Sequence, residues 1–491
     1  MAATACLLTA CRMSATAGVA PSSDTRALRT AVDSMLRDPK FANAMLGVLV
    51  VDPERGDTLV SHNAGKLFMP ASNQKLLTGA VALTQLGPGF RYSTTVFADG
   101  SIVEGELRGT LRVVGMGDPT MSDAMARDAM VPLRAMADSV AARGIRRVTQ
   151  GLRPGGDAFP DATWGFGWSW DDTDFPYSAG VDELYLNEGF LTVRVWGSAP
   201  GTAPRVRVSP NPTFPRVRLD ARSVARGDSI PRGRRVRVEH DSTDATVVVV
   251  SGDITSGDSA TLELSHRDQP LTFLEAFATA LRERGISVEG PITTRRPAPQ
   301  AGGGREPMGT ALFSWVSPPL SEILPVFEKP SQNQIGEILL KTLGRSKAGV
   351  GSADSGARVV RDQLLAWGAR AEGFSVRDGS GLSRYDVLSP ETVVRVLDAM
   401  RKGPHYDLFY RSLPIAGVDG TIRNRMRGTA AAGNVHAKTG TLNMVRSLSG
   451  YVTTAGGRPL LFSLLANHFT VPTREIDVLH EAIATRLAGM R

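Results

Sequence analysis

The periodicity of this chain changes twice, and no single compact core suits both patterns. From Arg91 to about Asp268 the sequence is a run of short strand-like stretches, among them LRGTLRVVG, FLTVRVWG, RVRVSPNP, RVRVEHD, ATVVVVSGD and ATLELSHRD. Several of these alternate arginine with valine, the period of a half-buried strand. Ahead of this stretch, a helix near Arg26 to Arg37 precedes AMLGVLVVDPERGDTLVSHNA, which reads as strand, Asp-Pro turn, strand. Behind it, LTFLEAFATALRERGI restores a helix, RRPAPQAGGGREPMG reads as a linker, and helices return at SEILPVFEKPSQNQIGEILLKTLG, SGARVVRDQLLAWGAR and SPETVVRVLDAMRK. The chain closes with NVHAKTGTLN, a hairpin turning at Gly-Gly in RSLSGYVTTAGGRPLLFSLLANH, and a helix from about Thr473. An N-terminal hairpin and C-terminal strands flanked by helices can share one antiparallel sheet, leaving the strand-rich middle as an insertion. At 491 residues, two to four domains are expected, and no internal repeat is present.

The segment PASNQKLLTGA, Pro70 to Ala80, follows the first hairpin directly. Leu76, Leu77, Ala80, Val81, Leu83 and Leu86 recur at the spacing of one buried helix face, and Gly87 supplies a stop. Residues i and i+3 lie on the same side of a helix, so Ser72 and Lys75 project together, whereas Asn73 and Gln74 do not. A serine hydroxyl becomes a competent nucleophile when a neighbouring base takes its proton, and an amine does this only where burial or a second cation keeps it neutral. The plain alternative is a helix-capping serine beside a solvated lysine. The choice of lysine is informative here, because the chain has eight lysines against forty-eight arginines.

Composition removes several classes of function. The formal charge of +7 comes from arginines spread along the chain among acids, without the dense basic face or recognisable module that nucleic-acid binding needs. Both cysteines, Cys6 and Cys11, fall in the first eleven residues. The body of the protein therefore has no disulfide, thiol nucleophile or thiolate zinc site. No later segment has the roughly 18 to 20 uninterrupted apolar residues of a membrane span. The opening MAATACLLTAC ends in Leu8-Thr9-Ala10-Cys11, similar to a bacterial lipoprotein cleavage box, so a lipid anchor at Cys11, an export signal and a disordered tail are all open readings.

Two further motifs accompany Ser72 and Lys75. EKPSQNQIGEILL carries Ser331-Gln332-Asn333 just before an apolar helical run, where capping is the plain reading. VHAKTGTLN carries Lys438-Thr439-Gly440-Thr441 beside a strand, where the glycine permits close approach of a ligand backbone. Ser-x-x-Lys at a helix start, Ser-x-Asn in a loop and Lys-Thr-Gly on a strand together resemble the signature of penicillin-recognising acyl transferases. The stretch SLPIAGVDGTIRNRMRGTAAAGNVHAKTGTLNMVRSLSGYV, Ser412 to Val452, closely resembles the D-alanyl-D-alanine carboxypeptidase/endopeptidase family, the class C low-molecular-mass penicillin-binding proteins. MPASNQKLLTGAVAL, GMGDPTM, GWSWDD before YSAGVDELYLNEG, LLKTLG and DGSGLSRYDVLSP extend the likeness from about residue 28 to the end.

The resemblance implies an α/β (α+β) fold. A transpeptidase-like domain, with an antiparallel sheet flanked by helices, is split by two inserted mainly-β domains between the first and second motifs, which here stand 259 positions apart. The expected division is a signal, lipoprotein-like or disordered N-terminus over 1–25, a catalytic domain over 26–92 and 305–491, an inserted domain over 93–175 and 268–304, and a nested domain over 176–267. It further implies a serine-type D-Ala-D-Ala carboxypeptidase or endopeptidase acting on peptidoglycan stem peptides, exported to the periplasm or cell envelope, with β-lactams as covalent inhibitors. Ser72 would be the nucleophile and Lys75 its base. Lys438 would lower the proton affinity of Lys75 and, with Thr439, Gly440 and Thr441, hold the substrate carboxylate. Ser331 would relay a proton to the leaving amine, Asn333 would bind the acyl-side amide, and the backbone N–H groups of Ser72 and Thr441 would form the oxyanion hole. No metal or cofactor is expected, and no nucleic-acid partner.

Gln332 departs from the family pattern, in which aspartate is frequent at this middle position. A class A β-lactamase is shorter and needs a deacylating glutamate for which no convincing Glu-x-x-Leu-Asn segment follows Asn333. A catalytically silent scaffold would predict a damaged motif. VVGMGDPT lacks the third glycine of a dinucleotide site, HEAIA at His480 lacks a second histidine, and His436 reads as structural. WGFGWSWDD reads first as packing beneath the inserted domain and second as a sugar-stacking platform.

Overall fold

The computed structural model describes residues 23–294 and 309–491. Cys6, the proposed anchor Cys11 and most of the RRPAPQ linker lie outside the described residues.

The two ends of the chain meet in one antiparallel sheet of five strands, ordered His436–Leu442, Val445–Thr453, Pro459–Asn467, Met45–Asp52, Asp57–His62. The Asp-Pro turn closes the first hairpin because Asp52 Oδ1 accepts from the backbone N–H groups of Glu54 and Arg55. The decisive pairing is between strands some 400 positions apart, with Val48 opposite Leu464 and Val50 opposite Phe462. Side-chain alternation sorts this apolar sheet onto two cores. Leu49, Leu461 and Tyr451 join one core with the helices Gln74–Leu86, Asn333–Ala348, Ala353–Ala366 and Pro390–Lys402. Val48, Val50, Phe462 and Leu464 join the other, under the helices Ser23–Leu36 and Thr473–Ala488. An antiparallel sheet covered on both faces explains why Met45–Asp52 reads as a continuous apolar run rather than an alternating one.

The middle of the chain forms two further assemblies. One is a six-stranded sheet built around Ser93–Val103 and Glu106–Val114, against which the helices Met130–Ala142 and Gln269–Glu283 pack. The first of these helices departs from the expectation of strands throughout the region. Met130, Pro132, Leu133, Met136, Ala137 and Val140 are its buried residues, a helical spacing set among strand patterns on either side. Thr310–Val316 pairs antiparallel with Ser93–Val103, so the chain leaves this sheet only after Val316. The second assembly is a sandwich of two three-stranded sheets. Val193, Val195, Val208, Val248 and Val250 fill its interior, while Arg194, Arg205, Arg207, Arg216 and Arg218 stay exposed, as the alternating sequence requires.

Candidate active site

Ser72 sits at an entry turn and not on the α-helix itself. Ala71–Asn73 forms a 3-10 turn and the α-helix starts at Gln74, two residues after Ser72. In a 3-10 turn residues three apart eclipse one another, which brings the two side chains together. Lys75 Nζ donates to Asn333 Oδ1 at 2.6 Å and to the Ser380 carbonyl at 2.8 Å, and stands 2.8 Å from Ser72 Oγ. Asn73 and Gln74 turn inward: the Asn73 amide donates to the Lys438 carbonyl at 2.8 Å, and Gln74 Nε2 to the Asp378 carbonyl at 3.4 Å. The turn is thus fastened to the strand carrying the third motif and to a distant loop.

The second motif divides its labour differently from a simple cap. Gln332, not Ser331 or Asn333, caps the helix Asn333–Ala348, its side-chain oxygen accepting from Ile335 N at 2.8 Å. This accounts for the glutamine where aspartate is frequent, since either side chain offers an acceptor. The residues on each side of the cap are left to face the cleft. Asn333 spans two elements, accepting from Lys75 and donating through Nδ2 to the Tyr177 carbonyl at 2.7 Å.

Lys438, Thr439, Gly440 and Thr441 lie on an edge strand of the central sheet. Gly440 does permit a close approach, but the visiting backbone is the protein's own. A Cβ there would stand 2.5 Å from the Pro70 carbonyl oxygen and 2.9 Å from Ser72 N. Ser447 Oγ clamps the same Pro70 carbonyl at 2.8 Å. Thr439 Oγ1 donates to Thr421 Oγ1 at 2.7 Å. Thr441 Oγ1 accepts from Arg446, which is held in turn by a two-pronged ion pair with Asp477 at 2.8 Å on each side.

These parts converge on one cleft of about 600 Å³ lined by Ser72, Ser331, Asn333, Thr439, Gly440 and Thr441. Lys75 and Lys438 lie wholly buried beneath it. Tyr177 and Arg384 also line the cleft, from the stretches YSAGVDELYLNEG and DGSGLSRYDVLSP. The loop DGSGLSR, residues 378–384, supplies the carbonyl that fixes Lys75. Asp378 organises that loop by accepting from the backbone N–H groups of Ser380, Gly381 and Ser383 at 3.1, 2.6 and 2.7 Å. Gly381, at φ +83°, packs so closely that a Cβ would lie 1.8 Å from the Ala71 carbonyl oxygen. An aspartate followed by Gly-Ser-Gly is the signal that marks such a loop.

The aromatic segment splits between its two readings. Trp168 packs as expected, donating from Nε1 to Asp378 Oδ2 at 2.9 Å. Trp170 is 86% exposed and Phe166 63%, so for these two the packing expectation is corrected. His436 is structural, its ring stacked on Tyr410 at 3.9 Å.

Burial dominates the electrostatics. It pushes the Lys75 ammonium well below its ordinary value, and the Lys438 charge adds to this, against the opposing pull of Asp378, Glu328 and Glu337. Burial is thus the larger of the two causes expected for a neutral Lys75. Lys438 falls to about 8 by burial, opposed by Glu328. Among the acids beneath the cleft, burial raises Glu328 to about 7 and Glu337 to about 8, the latter assisted by the neighbouring Asp378 charge.

A serine hydroxyl, a lysine whose ammonium form burial disfavours and a second buried lysine in one cleft are the equipment of serine acyl transfer, and the sequence matches a family with that chemistry. The family model described as D-Ala-D-Ala carboxypeptidase 3 (S13) covers residues 28–487. The chain belongs to the S13 family. It is 34% identical over 484 residues to the D-alanyl-D-alanine carboxypeptidase of Actinomadura sp. (strain R39), covering 94% of this chain and 84% of that protein. It is 26% identical over 442 residues to the D-alanyl-D-alanine carboxypeptidase DacB of Haemophilus influenzae, with 87% and 86% covered. The crystal structure of penicillin binding protein 4 (dacB) from H. influenzae has the same fold, with a TM-score of 0.77 at 23% identity, over 93% of this chain and 99% of that one. As an S13 member the protein is a serine-type D-Ala-D-Ala carboxypeptidase of mixed α/β architecture. Neither a silent scaffold nor a β-lactamase is favoured.

Proposed function

We propose that this S13 enzyme cleaves the terminal D-Ala-D-Ala bond of peptidoglycan stem peptides through an ester on Ser72. The observation that carries this reading is the 2.8 Å contact between Ser72 Oγ and the buried Lys75 Nζ. Ser72 Oγ attacks the penultimate D-alanine carbonyl and its proton passes to neutral Lys75. Protonated Lys438, with the Thr439 and Thr441 hydroxyls, binds the terminal carboxylate, and Gly440 keeps that strand close to the nucleophile. The backbone N–H groups of Ser72 and Thr441 stabilise the oxyanion, a contribution of roughly 3 to 4 kcal/mol when one such donor is lost in related chemistry. The carbon–nitrogen bond then breaks, and the proton travels from Lys75 through the Ser331 hydroxyl to the departing D-alanine amine. Water hydrolyses the ester by the reverse relay. Asn333 orients Lys75 and presents its remaining N–H to the acyl-side amide.

The same chemistry on a cross-bridge gives endopeptidase cleavage, and a β-lactam ring, opened by Ser72, leaves a stable acyl-enzyme. One crystal structure of the H. influenzae protein is a complex with a β-lactam. Because the substrate is a wall polymer, the enzyme works in the periplasm or cell envelope. Among the described residues no helix is long and apolar enough to cross a membrane. We also propose that the catalytic domain consists of 26–92 and the chain after about 317, that the six-stranded sheet forms one insertion, and that the sandwich over about 190–265 is nested inside it.

Labelling with fluorescent penicillin tests the assignment: wild type is expected to label and S72A not to. Equal labelling of S72A would refute it. Mass spectrometry of products from a pentapeptide and from a cross-linked dimer then separates carboxypeptidase from endopeptidase cleavage.

A further inference from the structure

Glu328 is the last residue of the helix Leu320–Glu328 and is completely buried, yet neither of its carboxylate oxygens has a hydrogen-bond partner among the described residues. Buried carboxylates are ordinarily paired, because an unpaired one carries its full desolvation cost. Its place is well defined. A Cβ on Gly79 would stand 2.6 Å from Glu328 Oε1, and Gly79 lies one helical turn beyond Lys75 on the same helix. A side chain at position 79 would have to displace the carboxylate tip.

The charged groups around it come from every neighbouring element. Lys75 faces it from the helix Gln74–Leu86 and Lys438 from the third-motif strand; these two cations act on it directly and oppose the rise that burial causes. From the helix Asn333–Ala348, Glu337 reaches Gly379 N at 3.1 Å and acts on Lys75 together with Asp378. On the helix Tyr406–Ser412, Asp407 and Arg411 are exposed and paired with each other. Next to Glu328 in sequence, Lys329 is paired with Asp419.

We propose that Glu328 is a positioning residue that acts through its field, the counter-charge setting how many protons the Lys75–Lys438 pair holds at working pH. The inference rests on Lys75 being the base and Lys438 the carboxylate-binding cation. An anion beside two ammonium groups favours their charged forms. It keeps Lys438 protonated, and so able to bind a carboxylate, to higher pH, while the pH at which Lys75 becomes neutral rises with it.

The test measures penicillin acylation rates from pH 5 to 10 on the full chain for wild type, E328Q, E328L and E328D, with S72A alongside. In E328Q the counter-charge is gone; the alkaline limb, which lies near pH 8 where Glu328 is ionised, is expected to move to lower pH by about one unit, and the acid limb to move less, because below about pH 7 Glu328 is itself protonated. E328D keeps the charge, and its profile should stay with wild type. The Tm of E328Q is expected to equal or exceed that of wild type above pH 7, since an unpaired buried anion has been replaced by a neutral isostere. E328L provides a second neutral variant, expected to shift in the same way, should the amide fail to fold. A purely structural role predicts a lower Tm with both limbs unmoved, and that result in the neutral variants overturns the inference while leaving the roles of Ser72 and Lys75 standing. Failure of wild type to acylate at Ser72 would instead remove the base assignment and this inference with it.

Discussion

Lys75 Nζ stands 2.8 Å from Ser72 Oγ, and both belong to an entry turn whose conformation is imposed from outside. Ala71 is held at φ +47°, uncommon for a residue with a side chain, with the Pro70 carbonyl clamped by Ser447 and the Gly381 backbone against Ala71. Ser72 and Lys75 are therefore positioned by residues more than 300 places further along the chain.

Replacing Lys75 by methionine should preserve packing and remove the base. Acylation by penicillin is expected to slow by about 10²- to 10⁴-fold, the usual worth of a general base, with the stoichiometry of binding unchanged. In wild type the rate should rise with pH as Lys75, held low by burial, becomes neutral, and fall again as Lys438 deprotonates near pH 8. A rate that climbs steadily past pH 10 in stopped-flow measurements would exclude this assignment.

Gly381→Ala should be far more damaging than a surface substitution in a loop. Its methyl group would collide with the Ala71 carbonyl at a backbone angle that disfavours any side chain. A loss of about 1–3 kcal/mol in stability is expected from the strain. Displacing the Ser72 turn and the Ser380 carbonyl together should lower kcat/KM by on the order of 10²-fold. Thermal denaturation and steady-state hydrolysis of a D-Ala-D-Ala peptide measure the two effects separately.

Gln332→Ala removes a helix cap and nothing that faces the cleft. Stability should fall by about 1 kcal/mol while the acylation rate stays near wild type. Gln332→Asp restores the acceptor but introduces a carboxylate beside Glu188, a group that burial raises and Gln332 holds down. Its stability should therefore lag behind wild type increasingly as pH rises through the carboxylate range, which urea titrations at pH 4.5 and 7.5 would detect.

The acids beneath the cleft make stability depend on pH in a direction opposite to that of a salt-bridged carboxylate. Glu328 and Glu337 have folded values of about 7 and 8, above the ordinary 4.5, so the folded state binds more protons than the unfolded one in between. Their contribution is present in full below about pH 4.5 and is lost as pH rises to 7 and 8. Lys438, lowered to about 8 from 10.5, has the opposite sign and contributes only as pH rises above 8. The contribution of this cluster should be smallest near pH 8. In E337Q, which keeps the acceptor for Gly379 N, the decline in the urea midpoint between pH 5.5 and 8 should be smaller; an unchanged decline would show that Glu337 has no part in it.

Elements with strong local patterning were readable in advance. The hairpin at Asp52-Pro53, the Gly456-Gly457 turn, the arginine-valine strands and the helix after Ser72 all occur where the pattern places them. The helix Met130–Ala142 was legible too, but its period was masked by the strands around it. Glu328 had no signature, because a charged residue in an apolar helix reads like any other until its neighbours are known.

The sequence by itself determined which residue types were available: a serine with a lysine three places on, Ser-x-Asn before a helix, Lys-Thr-Gly on a strand, and a separation of 259 positions between the first two motifs. Tertiary structure alone decided that they meet, and in what state of charge. Reactivity here depends on removing two ammonium groups from water, and solvation is a property of the packed surroundings. Those surroundings are drawn from both ends of the chain, joined through the pairing of Met45–Asp52 with Pro459–Asn467.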